Sequence, residues 1–140
     1  MTNEIHAGCV AIAGRGVLIA GASGRGKSDL ALRLIDRGAL LVSDDYTVLT
    51  VAGGRLIGSA PKTIAGRIEI RGVGIVELPA MAEVPIALHV DLDAPPARLP
   101  EPKRIEIRGI ALPSLALAAL EASAPIKLEQ ALRLYGLPLS

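Results

Sequence analysis

Cysteine, aromatic side chains and an excess of charge of either sign are all scarce in this 140-residue chain. Cys9 is the single cysteine, so no disulfide can form within the chain, and its apolar surroundings predict a small core residue. The sequence has two tyrosines and no phenylalanine or tryptophan, which removes the stacking platforms that single-stranded nucleic acids need. Fifteen basic and fourteen acidic residues give a net charge of +1 without a long basic run. We therefore expect no nucleic acid and no membrane surface as partner.

Long uncharged apolar runs are missing as well. No stretch reaches the roughly 18 residues that suggest a membrane-spanning helix, and the first residues lack the basic-then-apolar layout of a secretory signal. Apolar residues still make up 51% of the chain, with a mean hydropathy of +0.47, which is enough for one core of Ala, Val, Ile and Leu. The sequence therefore predicts a single domain, residues 1–140, located in the cytoplasm.

The most informative stretch is a complete G-x-x-x-x-G-K-[ST] phosphate loop. It comprises Gly21, Ala22, Ser23, Gly24, Arg25, Gly26, Lys27 and Ser28. An apolar strand pattern precedes it at 17–20 and a helical pattern follows it over 27–37, so the loop has the expected context. The glycines let the backbone point N–H groups at an anion, and the helix N-terminus adds the positive end of its dipole. Lys27 can reach the β- and γ-phosphates and Ser28 can ligate Mg²⁺. These residues predict nucleoside triphosphate binding.

Outside the loop, the pattern predicts an α/β fold that is rich in strands and has few helices. We expect strands at 8–13, 17–20, 39–43, 46–51, 55–58, 68–71, 74–78, 86–91 and 104–108, and a second helix at 125–135. Residues 113–120 fit either a strand end and turn or a short helix, and 95–102 form a proline-rich loop. The five residues 68–72 recur at 105–109. Alternation of this kind is common in half-buried strands, so we interpret the repeat as coincidence.

Two adjacent carboxylates, Asp44 and Asp45, follow the predicted strand 39–43. In open parallel sheets the carboxyl ends of the strands face the ligand crevice. One carboxylate there could hold Mg²⁺, and the other could accept the proton of an attacking hydroxyl. Residue type and spacing do not decide which of the two aspartates would hold Mg²⁺ and which would accept the proton. Composition and spacing alone thus predict Mg-nucleotide-dependent phosphoryl transfer.

Four stretches together resemble the HPr kinase/phosphorylase family. They are 16–28 with the phosphate loop, 31–38 in the helix, 41–45 with the carboxylates, and Ile-Glu-Ile-Arg-Gly-Val-Gly-Ile at 68–75. The resemblance extends from residue 6 to about residue 78. The chain looks like a short form of that family without its usual N-terminal domain. The expected fold is therefore the P-loop catalytic domain of the HPr kinase type.

The resemblance also implies an activity and roles for residues. ATP and Mg²⁺ would bind at 21–28, and the acceptor would be a serine of the phosphocarrier protein HPr, with a regulatory role in the phosphotransferase system. Asp45 would accept the proton of that serine. Ser28 and Glu69 would ligate Mg²⁺, with Asp44 beside the metal.

Two further residues follow from the same resemblance. His6 lies 21 residues before Lys27, where the family carries a histidine near the transferred phosphoryl group. Arg98 would neutralise charge on that group, with Arg71 as the alternative. The family forms hexameric rings, which makes a homo-oligomer one option for this chain.

The C-terminal part departs from the family pattern. The family carries a Pro-Val-x-Pro-Gly-Arg-Asn segment that is tied to dephosphorylation, and residues 109–117 here contain neither its Pro-Gly turn nor its Arg-Asn pair. This puts phosphorolysis in doubt and affects the kinase reaction less. Two alternatives stay open, a small-molecule kinase and a nucleotide-sensing module without transfer. The short chain leaves little room for a lid, and a sensor would not need Asp45 as proton acceptor.

Overall fold

Strands dominate the fold. The computed structural model describes residues 3–139, and within that range it has eleven strands and two helices. The strands are β1 Glu4–Ile5, β2 Ala7–Ile12, β3 Arg15–Ala20, β4 Leu40–Ser43, β5 Thr47–Ala52, β6 Arg55–Ser59, β7 Arg67–Ile70, β8 Gly74–Glu77, β9 Glu83–Asp91, β10 Lys103–Ile107 and β11 Ile110–Ala116. The helices are α1 Lys27–Asp36 and α2 Ala124–Tyr135.

Nine of these strands form one sheet, in the order β1-β5-β6-β9-β3-β2-β4, with β11 added beside β9 and β10 beside β11. β3 pairs parallel with β9, and β9 pairs parallel with β11. β2 lies antiparallel between β3 and β4, so these two run in the same direction. The carboxyl ends of β3, β4 and β9, at Ala20, Ser43 and Asp91, therefore lie at the same end of the sheet.

The central strands are apolar because both faces of the sheet are covered. Ile19 of β3, Leu34 of α1 and Leu128 of α2 belong to a buried cluster on the helix side. Leu18 and Cys9 belong to a second buried cluster. Burial raises the pKa of the Cys9 thiol, and the prediction of a small core cysteine is confirmed.

The helix α1 ends in a glycine motif. Gly38 has φ +111°, and its N–H donates to the carbonyl of Ile35 at 3.0 Å, while the N–H of Ala39 donates to Leu34 at 3.0 Å. This pair of bonds is the Schellman arrangement, which needs a left-handed residue after the helix. The helix predicted over 27–37 thus ends before Gly38, and the chain runs directly into β4.

A separate two-stranded hairpin, β7–β8, completes the fold. Ile68 is fully buried in the helix-side cluster and Ile70 packs partly against the same cluster. Because side chains alternate along a strand, Glu69 between them lies on the opposite, exposed face. The hairpin is closed at its base by a 3.0 Å bond from the N–H of Leu78 to the carbonyl of Gly66.

The prediction of a strand-rich α/β fold with two helices is confirmed, and element ends differ by a few residues. The segment left open at 113–120 contributes to a strand, since β11 runs to Ala116. The two-residue strand β1 was not predicted because so short a segment carries no periodicity. Of the helices in the described range, neither is long and apolar enough to cross a membrane.

Candidate phosphate-binding and phosphoryl-transfer site

The predicted phosphate loop joins the end of β3 to the start of α1. Gly24 and Gly26 have φ +86° and +93°, which is a left-handed backbone that glycine adopts without steric cost. Within residues 3–139, no acceptor bonds the backbone N–H groups of Lys27 and Ser28. These donors at the positive end of the helix dipole are therefore open to an anion.

The side chain of Lys27 folds back over this loop. It is only 7% exposed, and its Nζ donates to the carbonyl oxygens of Gly21 at 2.7 Å and Ala22 at 3.3 Å. Asp45 Oδ1 lies 3.9 Å from the same Nζ. A buried ammonium needs such partners because desolvation of an unpaired charge is costly. The Lys27 ammonium group thus lies at the place where phosphates would bind.

Asp44 connects three elements of the fold. Its Oδ1 accepts a 2.6 Å hydrogen bond from Ser28 Oγ on α1, and its Oδ2 accepts a 3.0 Å bond from the backbone N–H of Glu69 on β7. The Ser28 hydroxyl and the Asp44 carboxylate are oxygen ligands of the kind that Mg²⁺ prefers. Across residues 3–139, no group of three or more His, Cys, Asp or Glu side chains forms a metal cage.

Asp45 sits at the centre of a three-residue γ-turn. Its φ is +68°, and the N–H of Tyr46 donates to the carbonyl of Asp44 at 2.7 Å. The Ser43 hydroxyl donates to the Tyr46 carbonyl and closes the turn. A positive φ in a residue other than glycine stores strain and is frequent at functional sites. The turn directs the Asp45 carboxylate back towards the loop.

His6 lies between β1 and β2, beside this carboxylate. Its Nε2 is 2.9 Å from Asp45 Oδ1, and because a carboxylate can only accept, Nε2 carries the proton of this bond. The imidazole stacks on the Tyr46 ring with centroids 4.9 Å apart and an interplanar angle of 27°. Sequence analysis did not identify Tyr46, since nothing local indicates that it would meet residue 6.

Asp93, just beyond β9, is a second residue that sequence analysis missed. The backbone N–H of Ala22 donates to both of its carboxylate oxygens, at 3.0 and 3.1 Å, and Arg25 Nε lies 3.1 Å from Oδ1. Asp91 and Asp93 form an Asp-x-Asp pair at the end of a strand. That pair was the available signal, since the ends of parallel strands meet at one edge.

The structure brings together most of the predicted site residues. The side chains of His6, Lys27, Ser28, Asp44 and Asp45 form one cluster, in which His6 and Lys27 approach Asp45 and Ser28 bonds Asp44. Glu69 joins it through its backbone N–H, and its carboxylate is exposed.

The remaining candidates form no hydrogen bond or ion pair with this cluster in the described part of the chain, residues 3–139. Arg98 is exposed in the loop after β9 and, within residues 3–139, forms no hydrogen bond or ion pair. Arg71 is exposed at the β7–β8 turn. His89, which falls in the predicted strand 86–91, is a buried residue of β9 with Nδ1 2.8 Å from Ser114 Oγ. Burial lowers the pKa of His89, and Asp91 partly opposes that shift.

Comparison with known proteins agrees with this geometry. The family model of the HPr serine kinase C-terminal domain matches residues 1–84. The HPr kinase/phosphorylase of Clostridium tetani is 46% identical over 78 residues, which is 56% of this chain and 26% of that protein. The Brevibacillus brevis protein of the same name is 49% identical over 81 residues, 57% of this chain and 26% of that protein. The matched part thus spans about a quarter of the length of these relatives.

A solved structure extends the likeness over more of the chain. The HPr(Ser) kinase/phosphatase from Coxiella burnetii superposes with a TM-score of 0.81 and 31% sequence identity, and the match covers 93% of both chains. The family model covers more than half of the sequence. This protein therefore belongs to the family of the HPr serine kinase C-terminal domain.

Proposed function

We propose that this protein transfers the γ-phosphoryl group of ATP, in the presence of Mg²⁺, to a serine hydroxyl of an HPr-type phosphocarrier protein, with a regulatory role in the phosphotransferase system. One observation carries the proposal. The Asp45 carboxylate, a proton acceptor, is held 3.9 Å from the lysine of a phosphate loop. A proton acceptor beside a phosphate-binding lysine is what hydroxyl phosphorylation requires. The names of the relatives supply HPr as the acceptor.

The nucleotide would be held mainly by the loop. The free N–H groups of Lys27 and Ser28 would donate to phosphate oxygens, and the Lys27 ammonium, still bonded to the Gly21 carbonyl, would donate its remaining protons to the β- and γ-phosphates. Ser28 Oγ and Asp44 Oδ1, which are 2.6 Å apart, would hold Mg²⁺ together with the phosphates. Mg²⁺ is commonly bound by one or two carboxylates plus substrate phosphates. When bound, it neutralises charge on the phosphoryl group. Glu69 is the proposed second ligand.

Asp45 would act on the acceptor serine. Its Oδ1 is engaged by His6, whereas its Oδ2 has no hydrogen bond within residues 3–139. Oδ2 would accept the hydroxyl proton as the serine oxygen attacks the γ-phosphorus and the bond to the leaving ADP oxygen breaks. The bond from His6 would keep the carboxylate oriented. A positioned general base of this kind contributes about 10²–10⁴-fold to the rate.

The proposal also covers the arginine for the transferring group, the direction of the reaction, the compartment and the assembly. Arg98 stays the proposed arginine for the transferring group, with Arg71 as the alternative. Phosphorolysis is left out, because residues 109–117 form a tight turn and strand β11 and carry no Arg-Asn pair. The compartment would be the cytoplasm, and a homo-oligomer like the family's hexamer stays open.

The test is phosphoryl transfer in vitro. The purified protein is incubated with γ-labelled ATP, Mg²⁺ and the HPr-type protein of the same organism. We expect label on one HPr serine, and no label when that serine is replaced by alanine or when the enzyme carries Lys27→Ala. ATP binding without label on HPr would overturn the kinase proposal and favour a sensor module. Label on a small acceptor in a cell extract, but not on HPr, would favour a small-molecule kinase.

A further inference from the structure

One peptide unit of the phosphate loop is held from both sides. The Gly21 carbonyl accepts the 2.7 Å bond from Lys27 Nζ, and the N–H of the same peptide, which belongs to Ala22, donates to the Asp93 carboxylate at 3.0 and 3.1 Å. A trans peptide is planar, so its C=O and N–H groups point in opposite directions. A rotation of this peptide would therefore break the bonds to Lys27 and to Asp93 together.

We propose that Asp93 is a positioning residue that fixes the Gly21–Ala22 peptide and, through it, holds the Lys27 ammonium over the phosphate loop. A hydrogen bond to an ionised acceptor is stronger than a neutral one. It also polarises the peptide, which makes the Gly21 carbonyl a better acceptor for Lys27. Asp93 needs no contact with the nucleotide for this effect. The inference rests on the proposed function, since it concerns how the loop is prepared for phosphates.

Asp93 is itself held firmly against the loop. Asp91 Oδ1 accepts the backbone N–H of Asp93 at 2.8 Å, and the N–H of Leu92 donates to the Ala20 carbonyl at 2.8 Å. The first bond orders the turn that follows β9, and the second ties the end of β9 to the end of β3. A Cβ built on Gly21 would meet the Leu92 Cβ at 3.0 Å, so the two segments are in close contact. The carboxylate therefore rests on a rigid support, and the order of the loop depends on it.

The effect of the ion pair between Arg25 and Asp93 can be measured separately from that of the hydrogen bond between the Ala22 N–H and Asp93. Arg25 Nε lies 3.1 Å from Asp93 Oδ1, but the two side chains are 58% and 47% exposed. Exposed ion pairs contribute little, about 0–1 kcal/mol. Arg25→Met removes the pair, keeps the flexible apolar part of the side chain and leaves the Ala22 bond intact. It is the matched control for Asp93→Ala.

The experiment compares the wild type with Asp93→Ala, Asp93→Asn and Arg25→Met. In the nucleotide-free proteins, amide hydrogen exchange of Ala22 and the NMR signal of the Lys27 side chain are measured. We expect exchange at Ala22 to become about tenfold faster or more in Asp93→Ala, because a charged hydrogen bond is lost, and the Lys27 signal to shift. Asp93→Asn keeps an oxygen acceptor, so its Ala22 exchange rate and its Lys27 signal should both be close to those of the wild type. Arg25→Met should change the exchange rate at Ala22 by no more than about twofold and leave the position of the Lys27 signal unchanged.

The two Asp93 variants and the wild type are then tested for binding of Mg-ATP. We expect Asp93→Ala to raise the Kd about tenfold and to leave the single-turnover rate at saturating ATP nearly unchanged, with an intermediate Kd for Asp93→Asn. A Kd for Asp93→Ala within about twofold of the wild type would overturn the proposal; Arg25→Met is left out of this comparison because Arg25 itself belongs to the phosphate loop. Tighter binding in Asp93→Ala would also overturn it, since the carboxylate would then compete with phosphate.

Failure of this inference can be distinguished from failure of the proposed function. If the wild type does not bind Mg-ATP, the proposed function fails, while Ala22 exchange and the Lys27 signal in the nucleotide-free proteins still decide the role of Asp93. Unchanged exchange at Ala22 in Asp93→Ala overturns the inference whatever the kinase assay shows. Faster exchange with an unchanged Lys27 signal overturns it as well, because the link from Asp93 to Lys27 is then missing.

Discussion

Replacing Asp45 by Asn should separate proton acceptance from nucleotide binding. Asparagine has nearly the same shape, tolerates the positive φ of +68° at this position, and retains an oxygen that can accept the bond from His6 Nε2. It cannot take up the proton of a serine hydroxyl. The folded structure should therefore be unchanged, while the proposed chemical step loses its base.

The two expected effects differ widely in size. Loss of a general base lowers the rate about 10²–10⁴-fold, which corresponds to about 3–5 kcal/mol of activation free energy. The effect on ATP binding should be small. Asp45 lies 3.9 Å from the buried Lys27 Nζ, but its own side chain is 51% exposed. Solvent therefore screens the attraction, and we assign it the value of an exposed pair, about 0–1 kcal/mol. The Kd for Mg-ATP should therefore change by no more than about fivefold.

The assay measures single-turnover transfer from γ-labelled ATP to HPr, with the Kd for Mg-ATP measured by calorimetry on the same samples. Asp36→Asn, which removes an exposed carboxylate at the end of α1, is the charge-matched control and should behave like the wild type. Loss of nucleotide binding together with transfer, at an unchanged melting temperature, would refute the reasoning. Transfer within tenfold of the wild type would refute it too.

Three other predictions follow from the structure. Ser28→Ala should raise the Mg²⁺ concentration for half-maximal transfer about tenfold, because one of two adjacent oxygen ligands is lost; a Mg²⁺ titration with an unchanged midpoint would contradict this. Glu69→Gln should raise the same midpoint, whereas Glu106→Gln, in the second copy of the repeated pentapeptide, should not. His89→Asn should flatten the pH dependence of unfolding. Burial lowers the pKa of His89 below its ordinary 6.5, so the unfolded chain takes up the proton first and the wild type loses stability as pH falls through that value; urea unfolding at pH 7.5 and 5.5 measures the difference.

Sequence reasoning worked best where the signal is local. The spacing of the glycines with Lys27 and Ser28 fixes a strand, a loop and a helix in succession, and all three lie where they were predicted. Asp44 and Asp45 are adjacent to a strand end, so the edge they occupy follows from the direction of β4. Each of these inferences needed only a short window of sequence and one rule about strand ends.

The contacts that join distant segments could not be predicted in the same way. His6 meets Tyr46 only because β1 pairs with β5, with Ile5 opposite Thr47. Asp93 meets the phosphate loop only because β9 lies beside β3. Strand order is set by the packing of the whole sheet, and no local pattern encodes it.

One strand was obscured by proline. Pro113 lies inside β11, and proline lacks the N–H that a central strand requires. The parallel ladder between β11 and β9 begins at Ser114. Pro113 therefore precedes that ladder, and its missing donor removes no hydrogen bond there. The sequence pattern left strand and helix open because it does not show where the ladder starts.

The repeated pentapeptide Ile-Glu-Ile-Arg-Gly shows how far a local sequence determines structure. Each copy forms the first strand of a β-hairpin. In the first copy, Ile70 pairs with Gly74 and the turn has three residues. In the second, Ile107 pairs with Ile110 across a two-residue turn in which Arg108 and Gly109 both have positive φ. The same five residues thus adopt different turns.

The two copies also differ in what they can do. The first hairpin packs on α1 and donates the N–H of Glu69 to Asp44, whereas the second forms the outer edge of the sheet beside β11. The alternation of Ile with Glu specifies a half-buried strand in both places. Only the topology brings one of the two glutamates next to the proposed metal ligands. The role proposed for Glu69 therefore depends on its position in the fold, and we expect no such role for Glu106 in the identical sequence.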